Sequence, residues 1–165
     1  LKAMAEKAIA LSEKCIINYD KFDEIATAVY CDAEEISEKV SLVAESQGSN
    51  FFITVGFIAE DWVFFEDISI IDDNGVKVTS HFDYFDVSRD TLSNGKVIES
   101  ISYRPSIKDV EALANMKNAQ ILFDGSDKEL IRDISNTEIE AIAVVSEIAN
   151  LYRQISDIIY RSLSK

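Results

Sequence analysis

The chain has little that bends or bridges. Its 165 residues include five glycines, one proline, two cysteines and one histidine. So few glycines and prolines provide no flexible linker, and the length suits one ordinary core, so a single domain spanning 1–165 is expected. Cys15 and Cys31 are too few for a disulfide framework and are not at a metal-ligand spacing. They read as small buried hydrophobes, or as one bridge in an oxidising compartment. The lone histidine, His81, excludes a zinc cluster built on histidines and leaves a catalytic triad only one base. There is no glycine-rich phosphate loop and no Gly-x-Ser-x-Gly elbow. No apolar run approaches the roughly 20 residues a membrane-spanning helix needs. The sequence therefore implies no cofactor, no metal and no transmembrane segment.

Positive charge is also scarce. Sixteen lysines and arginines face thirty aspartates and glutamates, a net charge of −14. Nucleic-acid binders concentrate positive charge against phosphate, so this balance argues against a nucleic-acid partner. An anionic membrane surface would repel the chain for the same reason. The acidity reads as a solvated surface, or as the face of an inhibitor that mimics a charged partner. The chain starts at Leu1 and not at methionine, which leads us to expect a processed or trimmed product.

What the chain does have is β-rich, aromatic sequence at its centre. Phe51–Ala59 and Trp62–Ile71 flank a Glu60-Asp61 step and read as a buried strand pair. Asp72-Asp73-Asn74-Gly75 then predicts a tight hairpin, because Asn-Gly accepts the positive φ angles such a turn needs. It is not a calcium loop, since Ile70 interrupts the alternating ligands. Val76, Val78, Ser80 and Phe82 alternate with Lys77, Thr79 and His81, as in a strand with one wet face. Residues 83–94 read as irregular and polar, with Tyr84, Phe85 and Val87 able to tuck onto the sheet. Val97, Glu99, Ile101 and Tyr103 share one face of another strand. Shorter strands are expected at 22–31, 119–123 and 129–134.

Helices are expected at 1–17 (stripe Met4, Ala8, Leu11, Cys15), at 33–47 (Ile36, Val40, Val43, with Gly48 as the stop) and after the Ser106 cap. Ser135 and Glu138 form a capping box that starts a long helix over 136–164. Its stripe continues through Ile155, Ile158, Ile159 and Leu163, beyond what a small sheet covers. Pairing with the stripe of 1–17, within one chain or between copies in a homodimer, is the expected cover.

Several residue groups could carry chemistry. The acidic pairs Glu60-Asp61, Glu66-Asp67 and Asp72-Asp73 suit solubility and turns, because neighbours on a strand point to opposite faces. His81 and Asp83 fall on one side of their strand, where a metal could bind weakly; a solvent-facing histidine is the plainer reading. Trp62, Phe64, Phe65, Tyr84 and Phe85 either line an aromatic pocket or fill the core. We expect the core, and place Trp62 and Phe64 there.

The run Tyr19-Asp20-Lys21-Phe22-Asp23, a strand ending in Asp61-Trp62-Val63-Phe64-Phe65, a glycine-turn hairpin, Val97-Ile98-Glu99 and a closing capped helix resemble a loosely defined group of uncharacterised bacterial α+β domains. Many members of that group look exported or lipid-anchored. The resemblance covers roughly 19–155. It implies a cell-envelope or extracytoplasmic setting and carries over no functional residue.

The fold expected is α+β: an antiparallel sheet or sandwich of about six or seven strands over 19–135, with flanking N- and C-terminal helices. The function expected is a non-catalytic binding or interaction module for a protein or small-molecule ligand, with Glu60, Asp61, His81, Asp83 and Glu99 as candidate ligand contacts. A small hydrolase using carboxylates near Glu60, Asp61 and Glu99 is the enzymatic alternative. An acidic inhibitor is the third reading.

Overall fold

The computed structural model describes residues 1–23, 25–30 and 41–163. The protein is an α+β fold of antiparallel sheets with helices at the start, middle and end. Helix α1 (Lys2–Ser12) leads into strands β1 (Cys15–Asp20), β2 (Ile25–Tyr30), β3 (Ser41–Gln47), β4 (Asn50–Ala59), β5 (Phe65–Ile71), β6 (Lys77–His81), β7 (Ser88–Thr91) and β8 (Val97–Tyr103). Helix α2 (Ile107–Ala114), strands β9 (Gln120–Gly125) and β10 (Glu129–Asp133) and helix α3 (Asn136–Leu163) complete it. One sheet has six strands in the order β1-β2-β3-β4-β8-β7; the other has four, β10-β9-β5-β6.

The ten strands exceed the six or seven read from the sequence. The additions are β1, β3 and the short β7. Two of these replace predicted helix. The N-terminal helix ends at Ser12, not at 17, and Cys15 begins a strand. The predicted helix 33–47 is strand from Ser41 onward, and its earlier part lies outside the described residues, as does Cys31. Both regions were read from three- and four-residue spacing. Leu42, Ala44 and Ser46 also alternate, and all three are buried. Pairing with the β-branched, aromatic strand β4 selects that second pattern over the helical one. Gly48, at φ +57°, turns the β3–β4 hairpin and does not end a helix.

A second correction concerns the centre. Strands β4 and β5 do not pair with each other: β4 lies between β3 and β8, and β5 between β6 and β9. Residues 60–64 therefore cross between sheets. The predicted Asp72–Gly75 turn does close a hairpin, β5–β6, with Gly75 at φ +80°. Asp72 is buried there. Burial alone would raise its pKa, but the N–H of Val76 and the side-chain and backbone N–H groups of Asn74 outweigh it and hold the carboxyl below its ordinary range.

The inner face of the six-stranded sheet carries Leu42, Ala44, Ile53, Val55, Phe57 and Ile101. Helix α3 covers it over β2–β4. Toward the other end of β4, Phe57 meets Phe65 and Phe123 of the second sheet, with ring centroids 5.0–5.9 Å apart. The capping box at the start of α3 forms as predicted: Ser135 Oγ accepts from Glu138 N at 3.2 Å, and Glu138 Oε2 accepts from Ser135 N at 2.7 Å. Helix α1 runs antiparallel beside α3, tied by Lys7–Glu147 and, just past its end, by Lys14–Glu140, each 2.6 Å. The two terminal helices thus meet within one chain, but along the first half of α3. Ile158, Ile159 and Leu163, expected to lie on the Met4–Cys15 stripe, are exposed instead. No helix among the described residues is long and apolar enough to cross a membrane.

Candidate functional site

The segment that crosses between the sheets is fixed by a charge buried beneath it. Alternation along β8 turns Val97, Glu99 and Ile101 inward, as the sequence predicts. Glu99 is 0% exposed and stands opposite Phe57 on one side and Arg89 on the other. A buried carboxylate needs a partner for each lone-pair direction. Oε1 accepts the N–H groups of Val63 (2.7 Å) and Phe64 (2.9 Å). Oε2 accepts from Nε of Arg89 at 3.1 Å. The Arg89 side chain, only 10% exposed, also donates from its guanidinium to the carbonyls of Tyr84 and Phe65. One Glu–Arg pair therefore ties together residues 63–65, the 83–86 turn, β7 and β8.

This pinning gives the crossing segment its shape. Phe64 adopts φ +55°, a left-handed conformation that a bulky side chain rarely takes. The Val63 carbonyl lies against Gly125, where a Cβ would come within 2.0 Å of the oxygen. As a result Val63 and Phe65 point into the core, while Phe64 points out.

Outside the latch, the rings form a shelf. Trp62 stacks on Phe64 (centroids 5.5 Å apart), Phe64 on Tyr84 (6.4 Å), and Tyr84 meets Phe85 edge to face (5.3 Å). The turn that carries Tyr84 and Phe85 is closed by Asp86 N donating to Asp83 O, and by Asp83 N donating to Asp86 Oδ2. Arg89 lies 4.3 Å from the Tyr84 ring centroid and 5.7 Å from that of Phe64. Phe64 is 39% exposed, Tyr84 46% and Phe85 94%. Phe64, Tyr84, Glu66 and Ser126 line a shallow hollow of about 250 Å³. The expectation that Trp62 and Phe64 lie in the core is overturned. Phe64 is exposed and Trp62 half-buried, because strand β5 begins only at Phe65 and the left-handed Phe64 breaks the alternation before it.

The residues singled out from the sequence do not converge. Glu60 is exposed, 3.4 Å from Lys96. Asp61 is exposed and pairs with Lys128, whose hydrogen bond holds its carboxyl below the ordinary range, with help from the N–H of Trp62. His81 is exposed, and its Nδ1 lies 2.9 Å from Asp67 Oδ1, not beside Asp83. Asp83 belongs to the shelf's turn. Only Glu99 has a fixed place in the core, and both its oxygens are already engaged. The carboxylates offered for hydrolysis are thus one sealed and two on the surface. No three metal-ligating side chains are grouped to hold an ion among the described residues.

Sequence reasoning missed Arg89. The signal was there: it is the only lysine or arginine between Lys77 and Lys96, in a stretch rich in aspartate. A second hollow, of about 290 Å³ and bordered by α2 and α3, is lined by Arg104, Arg153, Glu111 and Glu147. Its arginines and glutamates are equal in number, and Glu147 already binds Lys7. The shelf differs in presenting rings that stay exposed in part, and in Phe85 almost wholly. Compared with known proteins, the chain matches no family, no curated sequence and no solved structure.

Proposed function

We propose that this domain is a non-catalytic binding module, and that Phe64, Tyr84 and Phe85 form its contact surface. The observation that carries the reading is Phe85. A phenylalanine 94% exposed at the tip of a turn, touching only Tyr84 among the other rings, contributes little to folding. It becomes useful when a partner covers it. The buried Arg89–Glu99 pair supports the reading, since contact residues bind best when their support is rigid. The resemblance to exported bacterial domains adds a cell-envelope setting to the proposal.

The test is a paired screen. Labelled protein and its Phe85→Ala variant are applied to arrays of peptides and oligosaccharides. Ligands retained by the parent and released by the variant are the expected result. Identical retention on every spot would count against the shelf as the contact surface. Fractionation of the native cells checks the setting, with the envelope fraction expected.

A further inference from the structure

We infer that the shelf receives cationic side chains, guanidinium or ammonium, presented by a partner protein. The inference rests on the binding-module reading and adds the chemistry of the ligand. Aromatic faces carry negative quadrupole charge and attract cations within about 6 Å. The shelf already does this once, from inside: Tyr84 holds the Arg89 guanidinium 4.3 Å from its centroid. The rim completes the case. Glu66 lines the hollow with Phe64 and Tyr84, while Asp83 and Asp86 flank the two exposed rings along the chain, with Asp86 Oδ2 also accepting the Asp83 N–H. None of these three carboxylates has an ion-pair partner among the described residues. The nearby cations are committed elsewhere: Arg89 to Glu99, Lys128 to Asp61, Lys96 to Glu60, and His81 faces Asp67. Rings with unmatched carboxylates around them complement a cation, and the net charge of −14 steers one in. A neutral sugar would gain the stacking but would meet these carboxylates without a charge to match them.

Trp62 is the only tryptophan and stacks on Phe64, so its emission reports on the shelf. The intact protein is titrated with a capped Arg-Gly-Arg-Gly-Arg peptide, with the same peptide carrying citrulline for arginine, and with a neutral glucan hexasaccharide. The arginine peptide should bind, and the citrulline peptide should bind roughly tenfold more weakly or not at all. Phe85→Ala should weaken the arginine peptide about threefold, and Glu66→Gln with Asp83→Asn by a similar factor. Asp83 and Phe85 are exposed and Glu66 half-buried, so circular dichroism of each variant is expected to match that of the parent. Equal affinity of the arginine peptide for parent and Phe85→Ala would show mere attraction to an acidic surface and overturn the inference. Binding of the citrulline peptide or the sugar in preference, lost in Phe85→Ala, would also overturn it while leaving the module reading intact. If no probe binds the parent, the inference fails and the array screen alone decides the wider reading.

Discussion

Phe64 and Phe65 are adjacent in the chain and belong to two different groups of rings. Phe65 joins Phe57 and Phe123 in a tilted and edge-on cluster from which water is excluded. Phe64 joins Trp62, Tyr84 and Phe85 in a chain of contacts along the surface. The inner cluster draws its rings from three strands of two sheets and joins them. The outer shelf draws its rings from one crossing segment and one turn, and is held from beneath by Arg89 and Glu99. Similar side chains thus do different work according to the backbone that presents them. Ring content alone does not separate a core from an exposed surface.

The contrast can be broken most forcefully from the inside. Phe123→Ala should lower stability by about 3–5 kcal/mol in urea denaturation, the usual effect of emptying a large core site. A loss no greater than that of a shelf residue would mean the inner cluster is not what joins the sheets. Glu99→Gln comes next. It keeps an acceptor for the N–H groups of Val63 and Phe64 but leaves Arg89 without its counter-charge, so about 3 kcal/mol should go. The Trp62 emission should change as well, since the shelf rests on that pair. An unchanged spectrum would separate the latch from the shelf.

Gly125→Ala tests the joint between the two groups. The new methyl would press on the Val63 carbonyl, and displacement of the crossing segment should cost about 2 kcal/mol. A variant as stable as the parent would show that the segment moves freely. The smallest effect is expected at Phe85→Ala, within about 0.5 kcal/mol of the parent because its ring is almost wholly exposed. A large loss there would make the ring structural and weaken the functional reading.

Much of the fold was legible where two local signals agreed. Ser135 and Glu138 capped a long apolar stripe, and α3 followed. Asn74-Gly75 lay between strand-period runs, and the β5–β6 hairpin followed. Glu99 was readable as the odd polar residue on an apolar face, although what it bonds was not. The failures came where signals conflicted. Residues 41–47 fit both a helical and an alternating pattern, and only pairing to β4 decides between them. Trp62 and Phe64 looked like the head of a strand, but the hydrogen bonds that turn Phe64 outward come from a residue 35 positions away. Arg89 was passed over because its partner, Glu99, and the rings it supports become its neighbours only after folding.

The left-handed Phe64 has a consequence for entropy. An exposed ring on a free backbone samples several rotamers, and a ligand that immobilises it loses on the order of 0.5–1.5 kcal/mol of affinity. The N–H groups of Phe64 and of Val63 before it both bond to Glu99, and the Tyr84 carbonyl is held by Arg89. These bonds order the backbone at the two positions before any partner arrives, and stacking of Phe64 on Trp62 and Tyr84 restrains the rings. Phe85 has no such restraint. A ligand would find two rings already in place and would have to still the third.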